Sequence, residues 1–173
     1  RLPRGNAVTY SLGGTTADLL ASDVAERPDG IDFLVNGVSV SLKVPGRHNA
    51  SNALAALSAA TAAGIPLEDA ARALGDFTGL KRRMDIVGTA NDITVIDDFG
   101  HNPDKIAATL TTLKAFPGRI IAFFQPHGYG PIRVMGAELA GVFANLLGEN
   151  DHLILCDPVY FGGTVDKSIG SQS

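Results

Sequence analysis

From Ile93 to Cys156 the chain alternates strand-like and helix-like runs, and this order constrains its fold more than any other feature. Ile93-Thr-Val-Ile96 reads as a strand, and Pro103 to Lys114 as a helix with proline at its start and Asp104 near its N-terminus. Arg119-Ile-Ile-Ala-Phe-Phe124 reads as a continuous apolar strand, Val134 to Leu147 as a helix, and His152 to Cys156 as a third strand. Strands joined through helices run parallel, with right-handed crossovers. Continuously apolar strands suit a sheet with both faces covered. The expected class is therefore α/β.

The preceding stretch reads differently. Ala7-Val8-Thr9-Tyr10 is a short strand candidate, and Ile31 to Val35 and Val38 to Leu42 flank Asn36-Gly37. Asn-Gly between two strand-like runs signals a hairpin, because both central residues of a type I′ turn need positive φ. Asn49 to Ala63 is rich in Ala and Leu, with a capping residue in front and Gly64 behind, and reads as a helix. It is apolar nearly all round, which predicts burial between layers. Pro66 opens a second helix, with Glu68 and Asp69 in its first turn and Gly75 at its end. A domain boundary is expected near Lys81-Arg-Arg-Met84, dividing residues 1–83 from 84–173. The abrupt ends at Arg1 and Ser173 read as those of a fragment of a longer protein.

Composition narrows the partners. The 173 residues carry a formal net charge of -4 and no Trp, which argues against nucleic acid and against an anionic membrane surface. No apolar stretch is long enough to span a bilayer. The lone cysteine, Cys156, excludes an internal disulfide, fits a reducing compartment such as the cytoplasm, and reads as a small buried core residue.

Ligands of open parallel sheets bind beyond the carboxyl ends of the strands. Polar residues gather there: Asp97-Asp98-Phe99-Gly100-His101-Asn102 after the first strand, Gln125-Pro126-His127-Gly128-Tyr129 after the second, and Asp157-Pro158 after the third. Position favours a functional reading for the first two loops, whereas Asp157 reads as a turn residue. The first loop lacks G-x-G-x-x-G, so dinucleotide binding is a poor reading. Asp97-Asp98 suggests a phospho-receiver, but that chemistry needs a further aspartate after a later strand, and the second strand ends in Gln125. Gly13-Gly14-Thr15-Thr16 lacks the lysine of a phosphate loop and reads as an ordinary loop. The histidines His48, His101, His127 and His152 are scattered and form no metal-binding pair on a helix.

Four motifs together resemble the Mur ligase family. Gly46-Arg47-His48-Asn49-Ala50-Ser51-Asn52-Ala53-Leu54-Ala55-Ala56 is similar to its G-x-H-N-x-x-N-x-x-A-A signature, and Phe77 to Met84 to its F-x-G-x-x-R-R-F/M hinge. Asp97 to Pro103 resembles D-D-Y-x-H-x-P, and Phe124-Gln125-Pro126-His127 resembles F-Q-P-H; these two point to the branch that adds alanine to UDP-N-acetylmuramate. The resemblance covers essentially the whole chain. It implies the tail of a central ATPase-type α/β domain over 1–83, followed by a truncated, Rossmann-like, parallel-sheet C-terminal domain over 84–173. It also implies an ATP- and Mg2+-dependent, cytoplasmic ligase of cell-wall precursor synthesis. Such an enzyme phosphorylates the carboxylate of a UDP-sugar substrate and joins it to an amino acid through the acyl phosphate. The phosphate loop and main Mg2+ ligands would lie outside this chain, in the missing N-terminal part of the polypeptide.

Site residues carry over from the same motifs. Asn49 and Asn52 match asparagines that hydrogen-bond adenine, where an amide suits a purine edge by donating and accepting at once. Arg83 matches the hinge arginine that reaches the nucleotide, and Asp98 the acid on the ribose hydroxyls. Phe99 stands where a tyrosine usually stacks on adenine. His101 and His127 match histidines beside the acyl phosphate and the incoming amino acid. One departure is clear: the arginines that hold the amino acid's carboxylate are replaced by Gly128 and Pro131, and the nearest arginine is Arg133. Two further readings therefore stay open, a superfamily relative that loads another carrier and a non-catalytic nucleotide-binding module.

Overall fold

Four strands begin the fold: β1 (Tyr10–Ser11), β2 (Leu19–Arg27), β3 (Gly30–Val35) and β4 (Val38–Leu42). A computed structural model describes residues 7–14, 16–159, 168, 170 and 171, so Thr15 of the glycine-threonine loop lies outside the described residues. β1 pairs with β2 in parallel, and β2, β3 and β4 pair antiparallel in sequence order. Asn36 and Gly37 join β3 to β4 with φ of 49° and 88°, the two left-handed residues that the turn requires, and Val35 pairs with Val38 across it.

Alternation along these strands sets the core. Leu19 and Ala21, then Ile31, Phe33 and Val35, then Val40, Leu42 and Val44 are all buried on one face. Helix α1 (Arg47–Ala62) covers that face with Ala50, Ala53, Leu54 and Leu57, and α2 (Leu67–Leu74) adds Ala70 and Ala71. The expectation that α1 is enclosed on all sides does not hold among the described residues. Asn52, Ala56, Ala59 and Ala62 are exposed, because alanine here serves helix propensity and costs little to leave in water. Nor is α1 capped by a side chain: its N-cap is Gly46, and the helix starts at Arg47 rather than Asn49.

Two further strands, β5 (Asp85–Ala90) and β6 (Ile93–Asp97), form an antiparallel hairpin through Asn91 and Asp92, whose φ values are 50° and 61°. The strand expected at Ile93 to Ile96 is thus present as β6, with β5 as its hydrogen-bonded neighbour. The chain divides after Asp98 into two compact units, and the hairpin belongs to the first.

The second unit contains α3 (Pro103–Leu113), β7 (Ile121–Phe124), α4 (Tyr129–Leu146) and β8 (His152–Leu155). β7 and β8 are parallel, with Phe123 opposite Ile154, as the strand-helix-strand order predicts. Ile106 and Leu110 of α3 pack with Leu139 and Phe143 of α4, and Phe124 meets Phe143 at 5.4 Å between ring centroids. The other face of the strand pair is apolar and open: Ile121, Phe123 and Ile154 are 56%, 69% and 48% exposed. Cys156 is half-buried rather than a core residue. Its amide continues the ladder to Phe124 O at 2.9 Å.

Candidate functional site

The start of α1 is a tight entry. Pro45 and Gly46 are buried, Gly46 holds φ 98° as N-cap, and Asn49 N donates to its carbonyl at 3.0 Å. Asn49 also spends one side-chain hydrogen on Pro45 O at 2.8 Å, so it braces the entry from inside the first turn. Its amide keeps a second N–H and the oxygen. Asn52 lies three residues further on and is exposed, and residues so spaced share a helix face. His48 is half-buried. Desolvation pushes its pKa below the ordinary histidine value, while the negative charges of Asp98 and Glu26 pull the other way.

A second element converges on the same acid. Gly79 holds φ 91°, and the turn closes with Arg83 N donating to Leu80 O at 3.2 Å. Arg82 and Met84 on either side of Arg83 both take left-handed angles, φ 60° and 50°, which non-glycine residues adopt only when their surroundings impose it. Three aspartates contact this turn. Asp98 Oδ1 accepts from Met84 N at 3.0 Å, Asp85 Oδ2 accepts from Arg82 N at 3.3 Å, and Asp97 Oδ2 lies 3.8 Å from Arg82 Nε. Met84 itself is buried, while Arg83 is exposed. Between this turn and Lys43-Val44-Pro45 is a cleft of about 360 Å³, with Lys43, Lys81 and Arg83 in its lining. The first unit thus gathers His48 of α1, the turn bearing Arg83, and Asp98 at the end of β6.

The second unit holds the remaining candidates together. The Phe99 ring lies 5.2 Å from the His101 ring and 6.0 Å from the His127 ring, tilted at 55° and nearly edge-on at 76°. His101 Nδ1 is 3.1 Å from Phe99 O. A carbonyl only accepts, so Nδ1 is the donor in this contact. Next to His101, Asn102 caps α3 by accepting from Lys105 N at 2.9 Å, with Pro103 at the first helical position. His127 is exposed and precedes Gly128, the N-cap of α4 at φ 101°.

Helix α4 begins well before Val134, because proline is tolerated in a first turn and Pro131 falls there. Arg133 is therefore a helical residue rather than part of the loop. Gln125 Nε2 donates to Asp157 O at 3.2 Å, and Asp157 Oδ1 accepts from Ser171 at 2.7 Å, a turn-stabilising role. The contributions invisible to motif reading are main-chain ones, the amide of Met84 and the carbonyl of Pro45; no side-chain pattern signals them.

Comparisons with known proteins agree on one family. The model described as Mur ligase, glutamate ligase domain matches residues 82–168, and that described as Mur ligase middle domain matches residues 2–60. A UDP-N-acetylmuramate–L-alanine ligase of Acidithiobacillus ferrooxidans is 40% identical over 161 residues, covering 87% of this chain and 34% of that protein. The ligase of the same name from Desulforamulus reducens is 41% identical over 157 residues, covering 87% and 33%. Among solved structures, UDP-N-acetylmuramate-alanine ligase MurC of Thermotoga maritima has a TM-score of 0.65 at 27% identity, covering 86% of this chain and 39% of its own. MurF of Acinetobacter baumannii has a TM-score of 0.72 at 24% identity, covering 86% and 33%, a likeness of fold.

Proposed function

We propose, because the chain belongs to the Mur ligase family, that it is part of an ATP-dependent carboxylate–amine ligase of peptidoglycan precursor synthesis. On this reading residues 1–83 belong to the central domain and 84–173 to the C-terminal, Rossmann-like domain. The substrates are a UDP-sugar carboxylate and an amino acid, as the names of its relatives state for those proteins. We place the enzyme in the cytoplasm; no described helix is long and apolar enough to cross a membrane.

The observation that carries the reading is the convergence on Asp98. The Arg83 turn is tied to it through Met84 N, and His48 of the asparagine-bearing helix feels its charge. In the proposed site Asn49 and Asn52 take the adenine edge, Asp98 the ribose hydroxyls and Arg83 the phosphates. This donor set suits adenosine: two amides, a carboxylate and a fixed cation. It does not suit Mg2+, since no group of three or more His, Cys, Asp or Glu converges among the described residues. His101 and His127 stand nearest the reacting carboxylate and amine.

The test is ligation by the full-length protein. UDP-N-acetylmuramate, ATP, Mg2+ and an amino acid should yield one amide per ADP and phosphate released, and ATP turnover without an amide product rejects the ligase. The 173-residue chain alone should turn over no ATP, because its sequence contains no G-x-x-x-x-G-K-[ST]. A second reading, ligation to a different carrier or of a different amine, is favoured by Gly128 and Pro131 at the arginine positions.

A further inference from the structure

The two walls of the cleft beside the Arg83 turn meet where Gly79 lies against Val44, so close that an added Cβ would fall 2.9 Å from Val44 Cγ1. Val44, Pro45 and Met84 give the cleft a buried, apolar lining. Lys43, Lys81 and Arg83 line it as well, and all three are exposed. Asp85 is the one acid in the lining, and its Oδ2 accepts from Arg82 N at 3.3 Å. Charge of one sign beside low-dielectric walls focuses the potential and draws in a counter-ion. Neither lysine is tied to an acid of the chain. Among the described residues Lys43 and Lys81 form no ion pair, whereas Arg27, Arg47, Arg72 and Arg82 of the same unit do.

We propose that this cleft binds a phosphoryl group, with Lys43 and Lys81 as ligands beside Arg83. Three cations less one carboxylate leave a surplus of two positive charges, which a phosphoryl dianion matches and a lone carboxylate does not. Ammonium groups on flexible stems act as point charges that adapt to such an anion. A cleft of about 360 Å³ has room for a diphosphate. The group comes from one of two sources, a free phosphate or the phosphates of a nucleotide, and the second source rests on the ligase reading.

The 173-residue chain contains no G-x-x-x-x-G-K-[ST], so phosphate that binds it is not held by a phosphate loop. Titration with inorganic pyrophosphate at low ionic strength, followed by nitrogen-15 amide spectra, should move the signals of Gly79, Lys81 and Met84 saturably. Lys43→Ala and Lys81→Ala should each weaken binding on the order of tenfold, and Lys43→Arg should retain it. Adenosine should leave these amides where they are. Absence of saturable shifts, wild-type affinity in both alanine variants, or equal shifts with adenosine overturns the proposal. Circular dichroism checks the fold of each variant, and Lys43→Gln and Lys81→Gln give the same comparison if an alanine variant unfolds. Competition separates the two sources, and both of its outcomes support the site. ADP that displaces pyrophosphate assigns the cleft to the phosphates of a nucleotide, and ADP bound together with pyrophosphate assigns it to a free phosphate. A full-length protein that forms no amide counts against the ligase reading, while pyrophosphate binding still decides the cleft.

Discussion

The main-chain amide of Met84 donates to Asp98 Oδ1 at 3.0 Å, so the acid at the end of β6 closes the turn that carries Arg83. In the proposed site this one carboxylate has two tasks, holding a left-handed backbone in place and accepting from the ribose hydroxyls. Asp98→Ala removes both. Asp98→Asn keeps an acceptor oxygen for Met84 and loses the charge. In the full-length enzyme Asp98→Ala and Asn52→Ala should each raise the KM for ATP by the equivalent of about 1–3 kcal/mol, with Asp98→Asn between Asp98→Ala and wild type. Steady-state kinetics check this. Unchanged KM in both alanine variants means that the nucleotide binds elsewhere.

His48 should make the first unit sensitive to pH. Its pKa is held down by burial, so the folded chain binds that proton less tightly than the unfolded chain does. The stability due to neutral His48 is complete above the unfolded pKa of about 6.5 and is lost as the pH falls below it. The unfolding midpoint should drop across that window, and His48→Gln should flatten the drop. Asp98→Asn should lower the His48 pKa further, because it removes a charge that favours the imidazolium. An identical pH profile in His48→Gln would assign the dependence to other groups.

Gly79 and Gly37 separate two costs. Both sit at positive φ, 91° and 88°. A Cβ at Gly37 meets nothing within 4 Å, whereas one at Gly79 comes within 2.9 Å of Val44 Cγ1. Gly37→Ala should cost only the conformational term, about 1–2 kcal/mol. Gly79→Ala should cost more and should also disturb the Arg83 turn. Denaturant melts of both variants measure the difference, and equal losses would mean that Val44 yields freely.

The acceptor amine is the boldest expectation. Gly128 and Pro131 leave the F-Q-P-H loop without the charges that clamp an α-carboxylate, and Arg133 is on the exposed side of α4. The full-length enzyme should use L-alanine poorly unless Arg133 supplies the clamp. A screen of amino acids, run beside Arg133→Ala, decides between these. Efficient alanine ligation indifferent to Arg133→Ala sinks the idea, while efficient ligation lost in that variant relocates the clamp to α4.

Motif and periodicity led to most elements of both units, and the exceptions have physical causes. β2 escaped notice because Asp23 takes φ 50° and a bulge sets Asp23 and Val24 against Phe33, which breaks the period of two. β5 escaped because Gly88 interrupts it and Asn91-Asp92 is a weaker turn signal than Asn-Gly. The early start of α4 was hidden by Pro131, which reads as a breaker yet is harmless in a first turn. The side chains of the proposed site come from the motifs. The tie between Met84 and Asp98 does not, since a main-chain donor has no residue type to announce it.

The open apolar face of β7 and β8 bears on how these variants can be measured. Phe123, Ile121 and Ile154 offer the native chain's own surface to any dye that fluoresces against hydrocarbon. Such a dye should already glow in the cold with the 173-residue chain, and its signal should barely rise on heating. Salts that strengthen apolar association should turn the same face into a precipitation surface. Melting curves for the isolated chain therefore belong to circular dichroism at low protein concentration, where the face stays wet and each variant reports on its own fold.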